Sequence, residues 1–187
     1  MRASMRKTVL TFGLIAGAIM SAMLVLTIPF MERIGYDAGA VIGYTTMVAA
    51  FLLVYFGVRR YRDDVAGGTL SFGRAIAVGS LIVAVASACY TATWEVIYFN
   101  VTPDFMTRYQ AHTLEQERAK GATPAEIERK RVEAEKFAEM YKNPLINASM
   151  TFLEPLPVGL LAVLISAVAL RRRSNRGAAV SALEGAA

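Results

Sequence analysis

The stretch Asn147-Ala148-Ser149-Met150-Thr151-Phe152-Leu153-Glu154-Pro155-Leu156-Pro157-Val158-Gly159 opens an apolar run that continues to Leu170. At about 1.5 Å per residue such a run can cross roughly 30 Å of hydrocarbon. Glu154 lies inside it. An ionised carboxylate there costs on the order of 2–3 kcal/mol or more, so it must face protein, find a partner or take up a proton. Pro155 and Pro157 have no N–H to donate, which frees backbone carbonyls that neighbouring helices or water must satisfy. The run therefore predicts a membrane span whose polar break meets polar groups from other spans.

The rest of the chain agrees with that class. Of 187 residues, 55% are hydrophobic and 19% charged, and mean hydropathy is +0.42. A soluble domain would distribute those apolar residues periodically, whereas here they form four long blocks. The expected architecture is an all-α membrane protein. Four transmembrane helices are placed at about 8–30, 38–58, 75–99 and 147–170, with an extracytoplasmic helical hairpin at about 103–142 between spans three and four. Together these make one membrane domain over residues 1–173, followed by a disordered tail over 174–187. The net charge of +5 does not imply nucleic acid, because the basic residues gather at the ends of apolar runs. Cys89, the single cysteine, lies within a run and reads as a small packing residue.

In chain order, residues 8–30 read as an anchored span rather than a cleaved signal, being longer than a signal's apolar core. Gly13, Gly17 and Ser21 are spaced for close helix contact, as are Gly39 and Gly43. Ser71 is positioned to cap span three. The first half of that span is dense in small residues, which predicts a central helix. Trp94, Tyr98 and Phe99 at its end read as an aromatic belt at the membrane surface. In the long polar segment, Gly121 ends one helix and Thr123-Pro124-Ala125-Glu126 begins another with a capping box. Asn143-Pro144 stops that second helix. Acidic and basic residues balance along the hairpin. Phe105, Tyr109 and His112 share one face, and Phe137, Met140 and Tyr141 share another.

Arg2, Arg6, Lys7, Arg59, Arg60, Arg62, Arg74 and the Arg171-Arg172-Arg173 run all fall on one side of this arrangement. The short first loop on the other side carries Arg33 alone. The positive-inside rule then predicts a bacterial inner-membrane, multi-pass protein with both termini cytoplasmic.

This orientation sets Glu95 and Glu154 at similar depth below the outer surface. Thr91, Glu95 and Tyr98 are spaced to share one helix face, and Asn147, Thr151 and Glu154 to share another. Tyr44, Thr45 and Thr27 reach the same level. The carboxylates either pin helix register, held neutral or paired with Arg33, Arg108 or Lys142, or they line an outward-facing polar cavity. The candidate ligand or ion-binding residues are Glu95, Glu154, Thr91, Tyr98, Thr151 and Tyr44. His112, the only histidine, is a candidate metal ligand with Glu95 and Glu154, a donor set suited to zinc or iron.

Several local sequences have a familiar combination: Tyr61-Arg62-Asp63, Gly67-Gly68 and Ser71-Phe72-Gly73, with Trp94-Glu95, Pro103-Asp104-Phe105, Tyr141-Lys142-Asn143-Pro144, Thr151-Phe152-Leu153-Glu154 and Pro157-Val158-Gly159. Over residues 6–173 the chain resembles the bacterial membrane-protein family of domain of unknown function 4199. The resemblance implies a four-span inner-membrane protein and supplies no activity.

No Gly-x-Ser-x-Gly, His-Glu-x-x-His or Cys-x-x-Cys pattern supports a named enzyme class. The expectation is a non-enzymatic accessory or interaction protein with no cofactor. Its partners would be the lipid bilayer and a homo-oligomer or another membrane protein, not nucleic acid. The alternatives are a binder or transporter of a cation, proton or small solute at Glu95 and Glu154, and a membrane-embedded metalloenzyme holding a divalent metal.

Overall fold

The computed structural model describes residues 4–171, so the tail expected over 174–187 lies outside them. Among the described residues there are helices and turns but no strand. α1 (Met5–Thr27) begins where Ser4 accepts a hydrogen bond from the Lys7 N–H at 3.2 Å. Pro29 lies in a 3-10 turn, Ile28–Phe30, and the short α2 (Met31–Ile34) follows directly. Gly35, at φ 85°, then reverses the chain into α3 (Tyr36–Asp64).

α3 outruns the end expected near residue 58. Arg59 and Arg60 do not stop it, because each reaches an acid one turn later, Asp63 and Asp64. Gly67 and Gly68 make the turn that follows, both at positive φ. α4 (Phe72–Asn100) has Ser71 at its N-cap with extended backbone, but no side-chain cap bond forms. α5 (Phe105–Ala119) and α6 (Pro124–Tyr141) are joined through Gly121 at φ 87°. Thr123 and Glu126 form the reciprocal capping box. Asn143 both ends α6 and caps α7 (Pro144–Leu153), accepting from the Leu145 and Ile146 N–H groups. α8 (Leu156–Leu170) completes the last apolar segment beyond the break at Glu154-Pro155.

Four segments are long and apolar enough to cross a membrane: Met5–Ile34, Tyr36–Asp64, Phe72–Asn100 and Pro144–Leu170. Half of the apolar window of α4 is buried, against a third in each of the others, so α4 is the central helix. It contacts α1, α3, α7 and α8. The outward faces stay apolar, with Leu14, Leu26, Val41, Leu52, Leu161 and Ile165 all exposed. So much uncovered aliphatic surface suits hydrocarbon rather than water.

Small residues bring α1 onto α4. A Cβ added to Gly17 would stand 2.6 Å from the Cys89 Cβ, and one added to Gly13 would stand 2.7 Å from the Val85 Cβ. One turn further, Ser21 donates to the Cys89 carbonyl, and Thr93 donates to the Ser21 hydroxyl at 2.8 Å. The spacing of Gly13, Gly17 and Ser21 thus serves contact within one chain.

Candidate functional site

Two cavities occupy the end of the bundle that carries α5 and α6, and Glu154 lines both. One, of about 280 Å³, is a chamber between α1, α3, α4 and α5. The other, of about 650 Å³, lies between α5, α6 and α7. They share Met106, Tyr109, Tyr141 and Glu154 as common wall.

Glu154 is placed there by its own sequence. It follows the last residue of α7 and keeps helical backbone, with its N–H bonded to the Met150 carbonyl. Pro155 and Pro157 then withhold the donors that the Thr151 and Leu153 carbonyls would receive in a regular helix. Tyr90 of α4 donates its hydroxyl to Glu154 Oε2 at 3.2 Å. Glu154 is exposed to the cavities, and among the described residues it is the only acidic or basic one lining the chamber.

Beside this pair runs a buried polar network. Asn147, with no exposed surface, accepts from the Trp94 indole N–H at 2.9 Å and donates to the Tyr141 carbonyl at 3.3 Å. Thr151 donates to the Asn147 amide oxygen at 3.3 Å and shares a 3.2 Å contact with the Tyr141 hydroxyl. Burial pushes the Tyr141 phenol up, so it stays a neutral hydrogen-bonding group. α7 is thereby tied to α4 and to the last turn of α6.

Aromatic rings cover the chamber. Tyr36, at the start of α3, packs edge-on to Phe105 and Tyr109 of α5 with centroids 5.9 and 5.6 Å away. Phe105 meets Trp94 at 5.2 Å. Polar contacts fasten α5 across this end. Arg108 donates to Glu32 and to Asp104, each at 2.6 Å, and Gln116 donates to Asp37 at 2.8 Å.

Of the residues singled out from the sequence, Tyr44 and Glu154 line the chamber and Thr151 lines the adjoining cavity. Glu95 and Glu154, expected to converge, do not share either cavity. Glu95 lines neither cavity, and its Oε1 is buried without a hydrogen-bond partner among the described residues. The reason is rotation. α4 turns Tyr90 and Trp94 toward α7, and the next residue along a helix points about 100° away. Thr91 instead lines a shallow apolar groove between α4 and α7. Tyr98 is buried edge-on against Tyr141 at 5.4 Å.

His112 is held elsewhere. Its ring lies 5.0 Å from that of Tyr36, 3.2 Å from the Gln116 amide and 3.8 Å from Asp37. Among the described residues no group of three or more His, Cys, Asp or Glu side chains could hold a metal, so the set of His112, Glu95 and Glu154 does not assemble. Arg108 and Lys142 pair with surface acids rather than with Glu95 or Glu154. Trp94 and Tyr98 are also not a surface belt, being only 6% and 4% exposed. Trp94 belongs to the chamber together with Tyr90 and Tyr141, three residues that the candidate set drawn from the sequence did not include. The available signal was the Tyr90-to-Trp94 spacing of four, which lies one residue out of phase with Thr91 and Glu95.

The family model described as "Protein of unknown function (DUF4199)" matches residues 11–172. No curated protein matches the chain, and neither does any solved structure.

Proposed function

This chain belongs to the family described as protein of unknown function (DUF4199), and because that description carries no activity, we propose one from the chamber. The protein is a non-enzymatic, multi-pass membrane protein that binds a small cation or protonated solute at Glu154. The supporting observation is a single carboxylate, held by Tyr90, on the shared wall of two cavities otherwise lined mainly by apolar and aromatic side chains. An uncompensated carboxylate in such surroundings is a demanding arrangement, and a bound cation relieves it.

The distribution of Lys and Arg supports placement in a bacterial inner membrane with both termini cytoplasmic. The α5–α6 pair is then the extracytoplasmic hairpin, and the chamber opens toward the outside. A protein of this kind serves as an accessory, receiving its solute from the outer face.

The test uses the purified protein in lipid nanodiscs, titrated with sodium, potassium, ammonium and choline chlorides. Trp94 is the only tryptophan and it lines the chamber, so its emission reports occupancy directly. At least one cation is expected to change that emission saturably and to raise the unfolding midpoint. Glu154→Gln is expected to abolish both responses, and Glu95→Gln to leave them. A wild-type protein indifferent to every cation would refute the assignment.

A further inference from the structure

We propose that the occupant is an organic ammonium ion, its charged head in the aromatic chamber and an apolar tail in the adjoining cavity. This deepens the cation-binding reading and rests on it.

The donor set argues against a bare metal ion. Hard cations take about six to eight oxygen ligands at close range, with carboxylates prominent among them, whereas the chamber supplies one carboxylate, its other side-chain oxygens being the neutral hydroxyls of Thr27 and five tyrosines. It is also large: about 280 Å³ would leave a small ion surrounded by water and unwetted rings. An alkylammonium suits the same walls. Its charge is spread over methyl or methylene groups that rest on aromatic faces, an attraction that grows when water is excluded. Tyr36, Tyr44, Tyr90, Trp94, Phe105 and Tyr109 all line the chamber, and Glu154 supplies the counter-charge. Carboxylate and rings therefore favour the same chemical class.

The tail follows from the second cavity. Beyond the wall shared at Glu154, that space is bounded by Leu114, Phe137 and Met150, and its volume is about 650 Å³. To reach it, a chain leaving the ammonium head must pass between Met106, Tyr109, Tyr141 and Glu154, the residues both cavities touch, and would bury apolar surface beyond them. Two sources offer such a head: a free amine or the headgroup of a zwitterionic lipid. A lipid headgroup would also bring a phosphate next to the ammonium. Among the described residues the one cation lining either cavity, Lys130, is already paired with Glu117.

The experiment titrates wild-type protein in nanodiscs of phosphatidylglycerol alone, read by Trp94 emission. The ligands are tetramethylammonium, hexyltrimethylammonium and the neutral isostere of the latter, in which carbon replaces nitrogen. Hexyltrimethylammonium is expected to bind about tenfold or more tighter than either comparator, since one lacks the tail and the other the charge. Tyr44→Leu is expected to weaken it several-fold, and Glu154→Gln to abolish it. The isostere comparison needs no variant, so the inference stays testable even where a variant fails to fold. Equal binding of the isostere overturns the ammonium assignment. A saturable response to sodium, potassium or protons, with none to the alkylammonium, overturns it while leaving the cation site of the preceding section standing. No response to any cation removes both. Repeating the titration in discs containing phosphatidylethanolamine separates the sources: unchanged affinity supports a free amine, and competitive loss assigns the site to the lipid headgroup.

Discussion

Asn147 has every surface buried and every hydrogen-bonding atom of its amide close to a partner, in contact with Trp94, Thr151 and the Tyr141 backbone. In a low-dielectric interior, removing one partner leaves the other stranded, at a cost of about 1–3 kcal/mol per group. Asn147→Leu should therefore lower the unfolding free energy by about 2–4 kcal/mol, allowing for more than one stranded group. Trp94→Phe should cost part of the same energy. The double variant should be less destabilised than the sum of the two, because the Trp94 N–H no longer needs an acceptor. Strict additivity in denaturation of the reconstituted protein would mean the Trp94–Asn147 bond contributes nothing.

The same residues show what the sequence could and could not disclose about the site. Asn147, Thr151 and Glu154 follow a helical period and carry polar atoms, so their common face was readable. Tyr90 and Trp94 were not separable from Thr91 and Glu95 in that way. In a soluble protein the polar face of a helix marks the outside. In a bundle surrounded by hydrocarbon both sides are apolar, and hydropathy loses its power to fix rotation. The glutamate at 95 suggested an inward direction. The tryptophan beside it took that direction instead, because its indole N–H had a buried acceptor to reach.

Among elements, the α1–α4 seam and the break in the last span do the positioning. Gly13, Gly17 and Ser21 let α1 lie close along α4, which fixes the depth of Tyr90 and Trp94 against the chamber. Gly39 and Gly43 have the same spacing in α3, yet their surroundings differ. A Cβ at Gly43 would meet nothing nearer than the Met23 Cε at 3.8 Å, and Gly43 lines the chamber. Gly17→Ala should destabilise the protein by about 1–3 kcal/mol through overpacking against Cys89. Gly43→Ala should be neutral or slightly stabilising, since alanine is the better helix former by up to about 1 kcal/mol. Thermal unfolding of the two variants side by side checks this, and equal losses would mean that spacing alone, rather than contact, governs both. Spacing was legible from the sequence; which helix each glycine met was not, because small-residue patterns carry no partner address.

At the scale of the whole molecule, α5 and α6 are both a roof and a handle. Arg108 and Gln116 fasten α5 to Glu32 and Asp37 on either side of the Gly35 turn. Lys130 and Lys120 pair with Glu117 and hold its carboxyl below the usual range, which couples α6 to the end of α5. All these contacts lie at the opposite end of the bundle from Arg59, Arg60, Arg62 and Arg74. If the basic end remains cytoplasmic, the roof and the mouth of the chamber stand outside.

Cysteine labelling reads that orientation directly. Cys89→Ala removes the single thiol while keeping the Cβ that packs on Gly17. In that background, Ser71→Cys marks the basic end at an exposed cap whose side chain makes no cap bond. Glu128→Cys marks the exposed face of α6. In intact cells a membrane-impermeant maleimide should modify position 128 and spare position 71 until the membrane is permeabilised. The reverse pattern would put the roof in the cytoplasm and give the chamber cytoplasmic solutes. Labelling at both positions in intact cells would show that the four apolar segments do not separate them across a bilayer.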